Sequence, residues 1–428
     1  MKDVTAVVLA AGEGTRMKSA KPKVLHKVGG EPMLKCMLGL LKRIGIDDYI
    51  VVVGHKAEEV ERVLKNADGK VRTVRQLRLL GSADAVWQAK SLFSNFKGDV
   101  LIVYGDTPLI THSSLKKLIH SHRTKEADCT ILTAVTKNPS GFGRIIRGEN
   151  ERIVKIVEEQ EADKYEKAIG EVNVGAYSFK AKELFSALEE IKPDNAKKEY
   201  YLTGAIETLF KKKAKIESVC ADDEEEALGV NSRSDLSRAN AIINKRNMKK
   251  LAQKGVTIID PATTFIYGNV EIAGDTVIYP HCVIEGTIKI GKACSIGPFA
   301  RLRPGTILED DVQVGNFVEV VRSKIASGCK IKHHSYIGDT VMGKGVNVGC
   351  GTITANYDGK NKNRTIIGEG AFIGVGTILI APVKIGKGAI IGAGSVVTKN
   401  KDVPAGVTVA GVPAAVLKKR HKAQGVNS

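Results

Sequence analysis

The chain has 428 residues, 43% of them hydrophobic and 26% charged, which excludes wholesale disorder and a collagen-like repeat and allows about three domain-sized units. No apolar run approaches the roughly 20 residues that span a bilayer, and the start, MKDVTAVVLAAGEG, lacks the basic end and cleavage site of a secretory leader. The net charge of +18 fits nucleic acid or anionic small substrates, but one Trp and 5% aromatics offer few platforms for stacking bases. The seven cysteines are scattered without a C-x-x-C pair, so neither a disulfide framework nor a zinc knuckle is indicated, and a reducing, cytoplasmic setting is expected.

From the N-terminus, Val4–Leu9 reads as a short buried strand running into a glycine loop. Tyr49–Val53, Val71–Gln76, Val100–Tyr104 and Cys129–Val135 read as further buried strands. Between them PMLKCMLGLLKRIG, KAEEVERVLKNA, ADAVWQAKSLF and HSSLKKLIHSHRTKE carry helical spacing. That alternation predicts an open, largely parallel α/β sheet over residues 1–232. Ligands of such sheets lie beyond the carboxyl ends of the strands, which points to the segments just after Leu9 and Tyr104.

After Leu9 comes AAGEGTRM. Gly12 and Gly14 allow the backbone to approach a phosphate, and Arg16 and Lys23 follow closely. Two cations beside a glycine nest suit a triphosphate whose pyrophosphate leaves with developing charge. After Tyr104 comes Asp106, a strand-end carboxylate of the kind that holds Mg²⁺ beside phosphates.

Residues 233–252 carry basic, helix-prone sequence without Gly or Pro and read as a helical arm. Over 253–428 the periodicity changes. Ile266, Ile272, Ile278, Ile284, Ile290, Ile296, Leu302, Leu308, Val314 and Val320 recur every six residues, an accident with a chance on the order of 10⁻⁴. The register slips, returns at Ile331 and Ile337, slips again, and resumes from Ile367 to Val397. Period six fits a triangular β-solenoid with one inward aliphatic residue per side, and NYDGKNKNR, 356–364, should project from it as a loop. Flat outer faces favour symmetric association. His333 and His334 sit beside Ser335 and Tyr336, a cluster too polar for a coil interior.

LAAGEGTRM, KPKVL, YGDTPL, GFGRII, IVEE, EVNVGAY, EYYLT and GVNSRSDL occur in order, followed by RLRPG, GNFVE, HHSYIGD and GCGTITANYDGKNK. Together they closely resemble the bacterial bifunctional N-acetylglucosamine-1-phosphate uridyltransferases/glucosamine-1-phosphate N-acetyltransferases. The resemblance implies a Rossmann-like uridyltransferase domain and a left-handed parallel β-helix of hexapeptide repeats. It implies synthesis of UDP-N-acetylglucosamine from UTP, acetyl-CoA and amino-sugar 1-phosphates, with Mg²⁺, in a homotrimer, without nucleic acid or membrane.

The resemblance also implies roles. Leu9, Ala10, Ala11, Gly12, Gly14, Arg16 and Lys23 would meet the nucleotide and its phosphates. Gln76, Gly81 and Ser82 would read the uracil. Tyr104, Gly105 and Asp106 would lie by ribose, sugar and metal, and Asn231 would share the metal with Asp106. Gly143, Glu158 and Asn173 would hold the N-acetylhexosamine. In the solenoid His333 would be the general base and Glu319 would orient it. Arg303, Tyr336 and Asn347 would hold the acetyl acceptor, and Cys350, Asn356, Tyr357 and Ala393 would lie near acetyl-CoA. The tail after AGVPAAV, with loop 356–364, would complete a neighbouring subunit's site.

Four departures stand out. Val321 takes the place of a family lysine that contacts the sugar phosphate, with Arg322 next. Val375 takes the place of a serine, and Gly204 of an aspartate beside the sugar pocket. An arginine that reaches the CoA is missing from the tail. Two readings therefore stand beside the leading one: a solenoid that acetylates another amino sugar, and a solenoid that serves only assembly or regulation.

Overall fold

The structure, a computed structural model, describes residues 3–193, 195 and 198–417. It divides into two compact units, Met1–Ile243 and Asn244–Ser428, and the division falls inside a 20-residue helix, Arg233–Ala252. A capping box starts that helix: Ser232 Oγ accepts from the Asp235 N–H at 3.2 Å, and the Asp235 carboxylate accepts from the Ser232 N–H at 2.8 Å.

The first unit is built on a nine-stranded sheet. Its main path runs Ile216–Cys220, Cys129–Val135, Glu171–Lys180, Asp99–Tyr104, Val4–Ala10, Asp48–Val53, Lys70–Arg75. Every neighbouring pair on this path is parallel except those made by Glu171–Lys180, which is antiparallel to both of its neighbours. Val4–Ala10 is buried at every position because both faces of the sheet are covered, and it is an interior strand. The helices Met33–Arg43, Ala57–Leu64 and His112–Thr124 bury aliphatic stripes at the expected spacing.

One expectation needs correcting. Lys70–Arg75 is an edge strand, half exposed, and not a buried one; its outward charges pair with the neighbouring strand and helix, Arg72 with Asp48 at 2.8 Å and Arg75 with Glu61 at 2.8 Å. The strand Glu171–Lys180 inserts between Asp99–Tyr104 and Cys129–Val135, which therefore do not pair. Polar Asn173 and Gly175 break its apolar pattern. The pairing register shifts between Asn173 and Tyr177, and a Cβ on Gly175 (φ 84°) would lie 3.1 Å from the Tyr104 ring.

The second unit is a three-faced parallel solenoid with one continuous aliphatic core. Each inward position of the six-residue period lies in register with its counterpart on the next coil. On the first face Ile278, Ile296 and Val314 pair successively, eighteen residues apart. Val314 then pairs with Ile331 and Ile331 with Val348, each seventeen on, and Val348 with Ile373, twenty-five on. The slips in the sequence are thus one-residue contractions and then an insertion. All three fall at the corner between the second and third faces, after Val320, Ile337 and Thr354.

Both ends of the stack are closed. At the start, Asn244 Nδ2 donates to the Thr264 carbonyl at 2.8 Å and its Oδ1 accepts from the Ile266 N–H at 2.9 Å, while Leu251 joins the core. At the other end Ala415–Val416 turns back and pairs antiparallel with Thr408–Ala410. The expected role of the tail beyond Leu417 lies outside the described residues.

Candidate functional sites

The parallel register sets Leu9 beside Tyr104, so the two central strands end together. The Gly105 N–H donates to the Leu9 carbonyl at 2.9 Å, which ties the two loops that follow. Ala10 and Ala11 are buried, Gly12 and Arg16 are exposed, and Met17 is buried and pins the far side of the loop. Gly14 has φ 67°, and a Cβ there would lie 2.7 Å from Lys23 Cβ. Glycine at 14 therefore lets Lys23 lie against the loop.

The Lys23 ammonium pairs with the Asp106 carboxylate and donates to Asn231 Oδ1 at 3.0 Å. Asn231 lies in the loop just ahead of the long helix, and that loop is fixed because the Val230 N–H donates to the Asp106 carbonyl at 2.8 Å. One carboxylate and one carboxamide thus converge on a single cationic position at the carboxyl end of the sheet. Among the described residues no cluster of three or more His, Cys, Asp or Glu could hold a metal without help from a ligand.

Gln76, Gly81 and Ser82 also meet. Gln76, 5% exposed, donates from Nε2 to the Gly81 carbonyl at 2.9 Å and to the Asp84 carboxylate at 2.7 Å. Gly81 has φ 115°, and a Cβ there would strike the Tyr200 carbonyl at 2.4 Å. Ser82 Oγ accepts from the Leu202 N–H at 2.9 Å and also bonds the Tyr104 phenol. Burial pushes the Tyr104 phenol well up, so it stays a neutral donor and acceptor.

Gly143, Glu158 and Asn173 form the third cluster. A Cβ on Gly143 would lie 3.6 Å from both Asn173 Cβ and a Glu158 carboxylate oxygen, and the Asn173 N–H donates to the Gly143 carbonyl at 2.9 Å. Thr203, which the sequence reading did not single out, donates to Glu158 at 3.0 Å from the position before Gly204. Arg144, 1% exposed, begins the strand that follows Gly143 and pairs with Glu159 at 2.7 Å.

In the solenoid His333 closes the first-face strand Lys330–His333 and stands exposed at the corner with the second face. Its Nδ1 lies 2.7 Å from Asn316 Oδ1, one coil earlier and in register. Glu319 does not orient the imidazole as expected; it pairs with Arg303 at 2.6 Å, on the second face. Asn316 was legible only as part of GNFVE, seventeen residues before the histidine, and the coil length is what makes that spacing meaningful. Cys350, Val375 and Ala393 stand three residues beyond Asn347, Phe372 and Ile390, the successive partners of Lys330, so they continue the corner column that His333 begins. Asn347 lies on the first face one coil above Lys330.

His334 turns away from His333. At φ 39° it joins a half-exposed ladder of corner residues, His281, Phe299, Phe317 and His334, with ring centroids 4.7, 5.1 and 4.8 Å apart.

The second-to-third corner carries a separate cluster. Val321, at the place of the lysine, is buried. Arg322 is not on a strand: at φ 47° it turns the corner and grips Asp339 with Nε at 2.7 Å and Nη2 at 2.8 Å. The Asn356 amide reaches the same carboxylate. Gly338 carries no Cβ, which would lie 2.7 Å from both the Tyr336 hydroxyl and Asn356 Nδ2. The Arg322 guanidinium, with help from Asn356, holds the Asp339 carboxyl below the usual range against the opposing effect of burial. Loop 356–364 folds on Asp358, which accepts from the N–H groups of Lys360 and Asn361 and from Asn363 Nδ2. Tyr357 is exposed on it.

A mostly parallel sheet with a glycine loop and a carboxylate and a carboxamide converging at its carboxyl end, joined to a hexapeptide solenoid, defines a nucleotidyltransferase fused to a hexapeptide-repeat transferase. Residues 5–244 match the family described as Nucleotidyl transferase, residues 266–357 the GMPPB C-terminal domain, and residues 364–399 the Bacterial transferase hexapeptide. The chain is 44% identical over 417 residues to the Bifunctional protein GlmU of Pelotomaculum thermopropionicum, covering 89% of this chain and 90% of that protein. It is 43% identical over 429 residues to the protein of the same name from Staphylococcus epidermidis, covering 92% and 94%. The chain belongs to the bifunctional GlmU family, and its solenoid is a left-handed parallel β-helix.

Proposed function

We propose that this chain makes UDP-N-acetylglucosamine on two sites. On the solenoid an acetyl group passes from acetyl-CoA to the amine of glucosamine-1-phosphate. On the sheet a uridylyl group passes from UTP to N-acetylglucosamine-1-phosphate, and pyrophosphate leaves. The observation that carries the reading is the meeting of Lys23, Asp106 and Asn231 beside the glycine loop.

Those oxygens fit Mg²⁺, which binds through one or two protein groups and takes its other ligands from water and substrate phosphates. Bound there by Asp106 and Asn231, it would neutralise charge on the triphosphate. The chain's own residues do the positioning. The glycine loop presents backbone N–H groups to the phosphates, and Lys23 and Arg16 supply cations for the departing pyrophosphate. Gln76, Gly81 and Ser82 hold the base, and Gly143, Glu158 and Asn173 the acetylated sugar. The sugar-phosphate oxygen is thus brought in line with the α-phosphorus, and little covalent help is required.

For acetyl transfer, the Nδ1 hydrogen of His333 points to Asn316 Oδ1, which leaves the Nε2 lone pair for the incoming amine's proton. The amine nitrogen bonds to the thioester carbonyl carbon, and coenzyme A departs. Arg303, Tyr336 and Asn347 would hold the acceptor; Cys350, Asn356, Tyr357 and Ala393 would border the thioester's carrier. A homotrimer suits the three flat faces and the half-exposed corner ladder beside His333. The seven free cysteines accord with a cytoplasmic setting.

A substrate panel tests this reading: glucosamine-1-phosphate and galactosamine-1-phosphate with acetyl-CoA, then each acetylated product with UTP. Turnover of glucosamine-1-phosphate, and of its product with UTP, is expected. Acetylation of galactosamine-1-phosphate alone would replace the acceptor, and an inert solenoid would leave assembly as its role.

A further inference from the structure

The hydrogen bonds of Gln76 leave it only one way to read a base. Its Nε2 carries two hydrogens, and both are committed: one to the Gly81 carbonyl at 2.9 Å and one to the Asp84 carboxylate at 2.7 Å. The orientation of an amide is ordinarily open to inversion. Here both partners are acceptors, so inversion would set the amide oxygen against a carboxylate and a carbonyl. Gln76 is 5% exposed, yet its Oε1 is not among the sealed, unsatisfied atoms and has no partner among the described residues. The remaining exposure therefore admits a ligand to that oxygen. Asp84 is itself held, since Gln88 Nε2 donates to its other oxygen at 3.1 Å.

We infer that Asp84, steadied by Gln88, is a positioning residue that locks the Gln76 amide with its oxygen toward the base and so selects a pyrimidine that donates from N3. This rests on the nucleotidyltransferase reading and deepens it. The N–H of Gly81, the residue whose carbonyl holds the amide, is without a partner among the described residues. An acceptor beside a donor matches the N3–H and neighbouring carbonyl of uracil. Cytosine presents an unprotonated N3 and an amino group, so the same edge would bring lone pair against lone pair and hydrogen against hydrogen. Asp84 need not touch the nucleotide to impose this; it acts through the amide, as outer-shell partners fix the orientation of a ligand's contacts.

The test is kcat/KM for UTP and for CTP with N-acetylglucosamine-1-phosphate, in the full chain and in its Asp84→Ala and Asp84→Asn variants, with Gln88→Ala as a milder change. The unaltered chain should favour UTP by about a hundredfold or more. Asp84→Ala frees the amide and should lower the UTP:CTP ratio about tenfold or more, with CTP use rising as UTP use falls. Asp84→Asn, nearly isosteric, should move the ratio the same way if the alanine variant does not fold, and Gln88→Ala should move it less. Equal losses with both nucleotides, at an unchanged ratio, would overturn the inference and leave Asp84 a structural residue. A full chain that used neither nucleotide would instead overturn the uridyltransferase reading on which it rests.

Discussion

The two sites are assembled by opposite means. In the first unit Lys23 and Asn231 are 208 residues apart in sequence and meet because strand order and loop anchoring bring three loops to one end of the sheet. In the solenoid Asn316 and His333 are 17 residues apart and meet because one coil is that long. A convergent site tolerates insertions between its contributors, provided that the strands still pair. A periodic site tolerates them only at corners, because an extra residue within a coil strand would turn every later side chain to the opposite face. The solenoid obeys this: its two contractions and its one insertion share a single corner.

That contrast can be broken by substitutions confined to one unit. The largest effect expected is from Asp106→Ala, which should cut uridylyl transfer by about 10³ or more while acetyl transfer continues, measured as separate initial rates. Equal loss of both in a folded variant would refute two independent sites. His333→Ala should then cost about 10²–10⁴ in acetyl-transfer kcat and spare uridylyl transfer. Asn316→Ala should cost about ten- to a hundredfold, since it orients the ring and touches neither substrate. His334→Ala should cost less than either; if it proved the crippling change, the corner register would be wrong by one.

Arg16→Ala sharpens the comparison from the other side. It should lower uridylyl-transfer kcat about a hundredfold with little change in KM, because its charge is needed as pyrophosphate departs. The smallest effect concerns stability. Arg322→Ala should cost about 1–3 kcal/mol, read from denaturant unfolding. Asp339 has a depressed folded-state pKa, so the pair's contribution is present above the unfolded carboxyl value near 4 and is lost as pH falls through the folded value. The variant should therefore converge with the parent chain as pH falls through that folded value.

Local pattern made much of this legible. Val4–Leu9 and Cys129–Val135 are strands where their apolar runs lie, and the six-residue period gave the solenoid outright, because each inward aliphatic residue is a local requirement. Glu171–Lys180 was not legible as the strand between two others, since its bulge and Gly175 answer to the Tyr104 ring, a tertiary partner. The glycine loop could be read, but the joining of Lys23 to both Asp106 and Asn231 depends on which strands neighbour one another. Glu319 illustrates the converse: the family resemblance implied that it orients His333, while its actual partner, Arg303, lies one coil back on the same face.

A stack of identical coils contains no instruction to stop. Each finished coil offers the next a full row of backbone donors and acceptors, and a second molecule could supply that next coil as well as the chain itself could. The turn at 411–414 removes the ambiguity. By sending Ala415–Val416 back along Thr408–Ala410, it fills the last row with a strand of the wrong direction for another coil to copy. At the opposite end the side-chain amide of Asn244 takes up the pairing that a preceding coil would have made. Asn247 adds a bond to the Ile266 carbonyl, so a motif that could in principle grow as a fibre is given a fixed length, set by one reversed strand and two asparagines.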